Sequence, residues 1–333
     1  MRWPRFCAVL LLTAAACLLP TPAPAGAAVT CEDLRVPVSV SLLPDVMHGR
    51  LCTPSGASVV EVLIPGGTYN SSYWDIGYTP AIRSFRLALN NAGVATLALD
   101  RLGTGQSSKP LSTLLTASTQ AAAAHQVIQT LRPRFRKVIV GGHSIGGAMA
   151  MIEAGTYRDV DGVLVSDMTH RMNYITVIPV LANMIPAPLD PQFALRNLDL
   201  GYLTTDGGTR YSSFHSPGPY DAGAIAYDES TKDVFAATEA VDTVALTTIV
   251  IPASQRINAP VLLAVGAQDA HFCGLLGSDC SSPEALRQSE APFFTAAPRF
   301  QTFILDNYGH SINYAPNAGT FYSAVANWTH TIG

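Results

Sequence analysis

The chain has 333 residues, of which 48% are hydrophobic and only 13% are charged, and its formal net charge is −4 at pH 7. This composition predicts a folded protein with a large core and excludes a disordered chain. The basic residues form no stripe along the sequence, so we expect no nucleic acid as a partner. No pattern in the sequence indicates an oligomeric state.

The first 28 residues have the pattern of a secretory signal peptide. Arg2 and Arg5 supply a positive start, residues 6–19 form an apolar stretch, and Ala-x-Ala cleavage sites follow at residues 23–27. The apolar stretch is short for a membrane span, although an uncleaved anchor is the alternative. We therefore expect a secreted protein that keeps no stable membrane span after the leader is removed.

Four cysteines remain after the leader, namely Cys31, Cys52, Cys273 and Cys280. Four cysteines allow three pairings, and proximity in the sequence favours Cys31 with Cys52 and Cys273 with Cys280. Such bonds persist in an oxidising compartment, and free buried thiols are the alternative. Because the sequence has neither a C-x-x-C motif nor paired histidines at ligand spacing, we expect no metal site.

Short apolar runs alternate with helical patterns along the mature chain. Strands are predicted over residues 34–43, 48–53, 59–64, 94–99, 137–140, 162–165, 260–265 and 300–305. Helices are predicted over residues 81–91, 114–131, 148–154 and 321–330. The alternation is typical of βαβ units and predicts a mostly parallel sheet with helices on both faces.

The alternation stops in the middle of the chain, in a segment rich in proline, tyrosine, methionine and threonine. The sheet pattern resumes after this segment, which indicates an insertion between two late strands. We therefore predict a leader over residues 1–28, an α/β core over residues 29–167 and 257–333, and an insertion over residues 168–256.

The run Gly142-His143-Ser144-Ile145-Gly146 fits the pattern G-x-S-x-G. It lies between a predicted strand and an alanine-rich helix, where a sharp turn holds a serine in a strained and exposed position. The N-terminus of the following helix favours negative charge that develops beside the serine. We predict that Ser144 is a nucleophile, with a glycine-rich structural turn as the alternative, and that His143 only packs.

A nucleophilic serine needs a base, and the base needs a carboxylate that orients it. After a strand–serine–helix turn of this kind, the acid and then the histidine follow in the chain. His310, in a Gly-His pair behind the last predicted strand, is the predicted base. Asp269, behind the strand at 260–265, is the predicted acid, and Asp167, at the end of the preceding strand, is the alternative.

Two backbone N–H groups are expected to form an oxyanion hole. One belongs to Ile145, the residue after the nucleophile, and the other comes from a loop behind an early strand. That loop is Pro65-Gly66-Gly67-Thr68, and Gly67 is the predicted donor. An ordinary glycine turn is the alternative for this loop.

Taken together, these motifs resemble those of the α/β-hydrolase superfamily, in particular its secreted, cap-bearing bacterial serine hydrolases of the esterase and lipase kind. The resemblance covers nearly the whole mature chain. It rests on Pro65-Gly66-Gly67 with Tyr73-Trp74, Asp100-Arg101-x-Gly103-x-Gly105-x-Ser107, Gly142-x-Ser144-x-Gly146, Gly266-x-x-Asp269 and Gly309-His310. The chain departs from the family where Pro65 replaces the histidine that usually precedes the glycine of the oxyanion loop.

The resemblance implies an α/β-hydrolase fold with a mostly parallel central sheet, helices on both faces and a cap inserted between late strands. It also implies hydrolysis of a carboxylic ester, lactone or thioester through an acyl-enzyme, with no metal or organic cofactor. Apolar side chains of the insertion such as Met172, Tyr174 and Phe214 suit a largely apolar small-molecule substrate, unless they form only the insertion's own core. An amidase or peptidase, or a non-hydrolytic binding or cyclase-like protein, are the alternatives.

Overall fold

A computed structural model describes Met1, Trp3 and residues 28–40, 44–245 and 252–333. The predicted leader therefore lies almost wholly outside the described residues. Strands β1 to β11 are Val29–Val38, Asp45–Pro54, Val59–Ile64, Ala95–Asp100, Lys137–His143, Gly162–Ser166, Met184–Pro186, Tyr202–Thr205, Phe235–Ala236, Val261–Gly266 and Phe300–Leu305. Helices α1 to α9 are Pro80–Arg83, Phe85–Asn91, Ala117–Leu131, Ile145–Tyr157, Tyr174–Ala182, Ala222–Thr231, Ala237–Val244, Pro283–Glu290 and Ala318–His330. None of the helices in these ranges is long and apolar enough to cross a membrane.

One large sheet organises the chain, with the strand order β1-β2-β4-β3-β5-β6-β10-β11. From β4 to β11 all neighbouring strands run parallel, whereas β1 and β2 form an antiparallel edge. The predicted mostly parallel sheet is therefore confirmed. Because its strands are parallel, the loops behind β3, β5, β6, β10 and β11 all leave from the same edge of the sheet.

The central strands are continuous apolar runs because both faces of the sheet are covered. All six residues of β3 are buried. Since successive side chains of a strand point to opposite faces, Val60 and Val62 join a core cluster with α3 and α4, and Val59 and Leu63 join a second one with α2 and α9. A parallel sheet with helices on both faces requires this pattern.

Outside residues 168–256, two departures from the predicted helices stand out. The helix predicted over residues 81–91 is interrupted at Ser84, whose backbone is extended with φ −87° and ψ 104° and whose hydroxyl caps α2 by accepting the Leu87 N–H at 3.0 Å. Helix α8 was not predicted, although Ser282 caps it and a proline begins it. Both boundaries are set by serine caps, which apolar periodicity does not register.

Both predicted disulfides are present in the structure. Cys31 and Cys52 are direct partners in the antiparallel pair β1–β2, and their S–S distance is 2.04 Å. Cys273 and Cys280 close a loop behind β10 with an S–S distance of 2.01 Å. The N–H of Cys273 donates to the carbonyl oxygen of Asp269 at 2.8 Å, so this second disulfide ties the loop that carries the predicted acid.

The segment 168–256, called the insert below, leaves the sheet behind β6 and returns before β10. Its described residues contain α5, α6 and α7 and a small antiparallel sheet in the order β7-β8-β9. Residues 246–251 of the insert lie outside the described ranges. Because the chain enters the insert from the carboxyl end of β6, the insert begins at the edge where β3, β5 and β10 also end.

Candidate active site

The turn between β5 and α4 carries Ser144 in an unusual backbone conformation, with φ 54° and ψ −128°. Such a conformation is costly for a residue with a side chain and persists only where its surroundings enforce it. Glycine is required on both sides of the turn. A Cβ on Gly142 would lie 2.0 Å from the carbonyl oxygen of Gly146, and a Cβ on Gly146 would lie 2.4 Å from that of Ile64.

Ser144, His310 and Asp269 form a continuous hydrogen-bonded chain. The Ser144 hydroxyl lies 2.8 Å from Nε2 of His310, and Nδ1 of His310 lies 2.9 Å from Oδ2 of Asp269. The other carboxylate oxygen of Asp269 accepts the N–H of His271 at 2.9 Å. When Nδ1–H donates to the carboxylate, Nε2 is left as the acceptor for the serine proton.

Burial sets the protonation states of this chain. It lowers the pKa of His310 to about 3, with a further contribution from nearby His215. It raises the pKa of Asp269 to about 6. At pH 7 the imidazole is therefore neutral and the carboxylate ionised, which is the state in which the histidine can accept a proton.

Asp167, the alternative acid, occupies a different place beside the same edge of the sheet. Its Oδ1 accepts the N–H of Gly266 at 2.9 Å, and its Oδ2 lies 3.8 Å from Nε2 of His143. Burial and the charge of Asp269 raise the pKa of Asp167 well above its ordinary value. The structure thus brings Asp269, and not Asp167, into contact with His310.

The two predicted oxyanion donors face the same cavity as Ser144. Ile145 is the first residue of α4, so its N–H has no partner within the helix. The N–H of Gly67 is bound to no acceptor among the described residues. A Cβ on Gly67 would lie 3.2 Å from Cδ1 of the Ile145 side chain, and one on Gly66 would lie 3.1 Å from the carbonyl oxygen of His143, so this loop lies against the turn that carries Ser144.

The first half of the predicted oxyanion loop is held by a buried arginine whose role its sequence motif did not indicate. Arg101 donates to the carbonyl oxygens of Pro65 and Gly66, each at 3.1 Å, and is completely buried. Glu239 of the insert accepts from the same guanidinium at 2.6 Å and neutralises it. The loop with proline in place of histidine is thus fixed through its carbonyl groups.

A second buried arginine, Arg210 of the insert, holds the other half of the loop. It donates to the Thr68 hydroxyl at 2.6 Å, and Thr68 has a positive φ of 60°. Two further donors of Arg210 bind both carboxylate oxygens of Asp228, at 2.9 and 2.6 Å. No signal in the sequence identifies the Arg210–Asp228 pair, because neither residue matches a motif. The contact of Arg210 with Thr68 joins segments that lie far apart in the chain.

The loop that carries His310 is fixed from two sides. Nε2 of His143 donates to the His310 carbonyl oxygen at 3.1 Å, while its ring stacks on Tyr73 at 4.2 Å between centroids. Burial lowers the pKa of His143 well below its ordinary value, so the ring is neutral. The Tyr69 hydroxyl lies 2.8 Å from that of Ser311. His143 therefore packs, as predicted, but it also anchors the histidine loop.

A cavity of about 790 Å³, its mouth included, opens above Ser144. Phe214 lies beside His310 in this cavity, with 6.0 Å between the two ring centroids. Tyr174, which the sequence suggested for this lining, is 49% exposed and is not among the lining residues. The described residues of the insert that line the cavity are all uncharged, namely Met172, Val177, Val180, Leu181, Met184, Phe214, Phe235, Ala240, Thr243 and Val244.

Several solved structures share this fold at low sequence identity. An alpha/beta hydrolase fold protein from Chitinophaga pinensis has 14% identity and a TM-score of 0.60, with 90% of this chain and 97% of that chain covered. An enol-lactonase from Burkholderia xenovorans LB400 has 16% identity and a TM-score of 0.58, with 86% and 97% covered. A thermophilic esterase from Thermogutta terrifontis has 15% identity and a TM-score of 0.54, with 90% and 99% covered. At such identities the likeness shows the fold alone.

A match between the sequence and a family profile identifies the family of this chain. No curated protein matches the chain. The profile described as the alpha/beta hydrolase family, however, matches residues 62–321, which is well over half of the chain. The matched range includes the turn that carries Ser144, the loop behind β10 and the loop that carries His310. The chain therefore belongs to the alpha/beta hydrolase family.

Proposed function

We propose that this chain is a serine hydrolase that cleaves a carboxylic ester, lactone or thioester of a largely apolar small molecule through an acyl-enzyme. The observation that carries the proposal is the chain of contacts from Ser144 through His310 to Asp269, at 2.8 and 2.9 Å, at the base of the cavity. Family membership supports hydrolase activity in general, and these contacts support a serine mechanism.

In the proposed reaction, Nε2 of His310 takes the Ser144 proton as Oγ attacks the carbonyl carbon of the substrate. The N–H groups of Gly67 and Ile145 stabilise the oxyanion of the tetrahedral intermediate, and Asp269 stabilises the imidazolium. His310 then returns the proton to the leaving alcohol or thiol. Water repeats the sequence on the acyl-enzyme and releases the acid, so the scheme needs neither a metal ion nor an organic cofactor.

The insert is proposed to act as a cap that selects the substrate. Its lining residues carry no charge, and a charged substrate group would lose hydration there without gaining a partner. Val177 and Met184 offer apolar surface next to Phe214 and the nucleophile. A neutral, largely apolar acyl or alcohol group is the chemistry that this surface favours.

We also propose that the protein is secreted. The two disulfides support this location, because such bonds persist in oxidising compartments and are rare in the cytosol. The positive start, apolar stretch and cleavage pattern of residues 1–28 support it independently.

A fluorophosphonate probe should label the mature protein on Ser144 alone. The label should disappear in Ser144→Ala, and turnover of an ester should fall on the order of 10⁴-fold or more because the nucleophile is lost. Ser166→Ala, a matched change at a buried serine one strand away, should keep both label and turnover. Labelling that survives in Ser144→Ala would refute the assignment of Ser144 as the nucleophile. Comparing turnover of an ester and an anilide with the same acyl group would distinguish an esterase from an amidase.

Asp269→Asn should lower turnover by roughly 10⁴-fold, because the amide no longer orients His310 or balances the imidazolium. Asp167→Asn should cost less than about tenfold, since Asp167 does not contact His310 and asparagine preserves its shape. The measurement is kcat/KM for both variants on one small ester. The reverse order of losses would make Asp167 the acid.

The same residues predict the pH profile of the wild-type protein. Burial raises the pKa of Asp269 to about 6, so this carboxylate becomes protonated at a higher pH than an ordinary aspartate. We therefore expect kcat/KM to be constant near neutral pH and to fall as the pH drops through about 6. Because His310 and Asp269 interact, the pH at which kcat/KM is half its maximum is an apparent pKa of the two residues together. A profile that stays flat down to pH 5 would contradict this protonation scheme.

Neighbouring residues of α5 provide a test of the cap. Val177 lines the cavity, whereas Ile178 is 62% exposed. Val177→Trp should lower kcat/KM for long or bulky acyl esters by at least about tenfold, because the indole occupies space that a large acyl group needs. An acetate ester, whose acyl group is small, should be nearly unaffected. Ile178→Trp should leave the ranking of substrates unchanged. If the two variants changed the ranking of substrates equally, the proposal that the insert selects the substrate would be wrong.

A further inference from the structure

A second group of ligating side chains lies outside the active-site cavity. His125 comes from α3, Glu153 from α4, and Asp159 from the segment directly behind α4. One ligand atom from each residue lies within 4.8 Å of the other two. Glu153 is completely buried, whereas the side chains of His125 and Asp159 are 21% and 28% exposed. The group is therefore closed towards the core and open towards solvent.

The distances within this group fit a shared cation. Nδ1 of His125 lies 3.2 Å from Oε1 of Glu153 and 3.4 Å from Oδ2 of Asp159. Both are longer than the roughly 2.7–2.9 Å of a charge-assisted hydrogen bond. Ligand atoms about 2.0–2.1 Å from a tetrahedral zinc ion lie about 3.3 Å from one another. The two measured separations lie on either side of that value.

Two buried oxygens of the group have no hydrogen-bond partner among the described residues, namely Oε2 of Glu153 and Oδ1 of Asp159. A buried carboxylate oxygen without a partner is unfavourable, and two neighbouring carboxylates repel each other. A cation between the two carboxylates would supply the missing partner and offset their mutual repulsion.

Neighbouring side chains contact two of the three ligands and fix their orientation. The ring of Tyr157 stacks on His125 at 3.6 Å between centroids, and the Gln129 amide donates to Oδ2 of Asp159. Arg132 acts on Glu153 electrostatically, but its guanidinium is paired with Asp161 at 2.6 Å. Neighbours that fix the orientation of ligands in this way are common around metal ions in proteins.

We propose that His125, Glu153 and Asp159 bind one divalent cation of the zinc class. One imidazole nitrogen and two carboxylate oxygens suit such an ion, and the exposed side of the group leaves room for a water ligand. The ion would join α3 to the carboxyl end of α4, the helix that begins at the candidate nucleophile. The ligands are separated by 28 and 6 positions, which explains why motif spacing predicted no metal site.

The test uses the full mature protein without a histidine tag, stripped with a chelator and titrated with Zn²⁺. Bound zinc is measured by mass spectrometry of the metal, and the melting temperature is followed in parallel. Glu153→Gln removes an anionic ligand at constant volume, and Asp159→Asn does the same at a partly exposed position where folding is least at risk. Glu61→Gln in β3 is the matched control, because Glu61 is also completely buried and also has one oxygen without a partner, but it belongs to no such group of ligating side chains among the described residues.

The wild-type protein and Glu61→Gln should bind one equivalent of zinc and melt at a higher temperature with the ion. Glu153→Gln and Asp159→Asn should bind it more than about 100-fold more weakly. Wild-type affinity should also fall as the pH drops, because binding must displace protons from the ligands. Failure of the wild type to bind one equivalent, or unchanged affinity in Asp159→Asn, would overturn the proposal and leave a shared proton between the carboxylates. None of these readouts depends on ester hydrolysis.

Discussion

The positive φ of Ser144 is the constraint on which the remainder of the site depends. The chain must pass from the central strand β5 into α4 within one residue, and it can do so only because Gly142 and Gly146 let backbone segments meet. The turn directs the serine hydroxyl away from the sheet, towards the loops behind β10 and β11. Those loops bring Asp269 and His310 to it, since parallel strands end at a common edge.

The insert is joined to this site by charge as well as by apolar contact. Glu239 neutralises the buried Arg101, and the insert supplies both members of the buried pair Arg210–Asp228. Both arginines bind the oxyanion loop, including Thr68 with its positive φ. Breaking a buried ion pair leaves an uncompensated charge, so these contacts strongly favour a single arrangement of loop and insert. The segment proposed to select the substrate thus also positions part of the proposed catalytic apparatus.

Much of this arrangement could be predicted from the sequence because it follows local rules. Continuous apolar runs located the strands, and a serine, an aspartate and a histidine, each behind a parallel strand, located the candidate triad. Proximity in the sequence was enough to pair Cys31 with Cys52 across a hairpin. The sheet then imposes the rest, since the ends of its parallel strands share one edge.

What could not be predicted depends on contacts between distant segments. Arg210 binds Thr68 across 142 positions, and no motif in the sequence includes Arg210. The two faces of α5 differ, with Val177 towards the cavity and Ile178 towards solvent, although its sequence is apolar throughout and carries no periodic signal. His125 and Glu153 meet only because α3 packs on α4. Such contacts are decided by packing, which a pattern along the chain does not contain.

Covalent catalysis by Ser144 is the central claim, and trapping the acyl-enzyme tests it most directly. The mature protein is mixed with an activated ester that deacylates slowly, quenched in acid during the steady state, digested and mapped by mass spectrometry. Acyl transfer through the proposed triad predicts one added acyl group, on the peptide that contains Ser144, formed at a rate no slower than turnover. Turnover without an acylated Ser144 peptide, or an acyl group on another residue that forms fast enough to account for turnover, would contradict it.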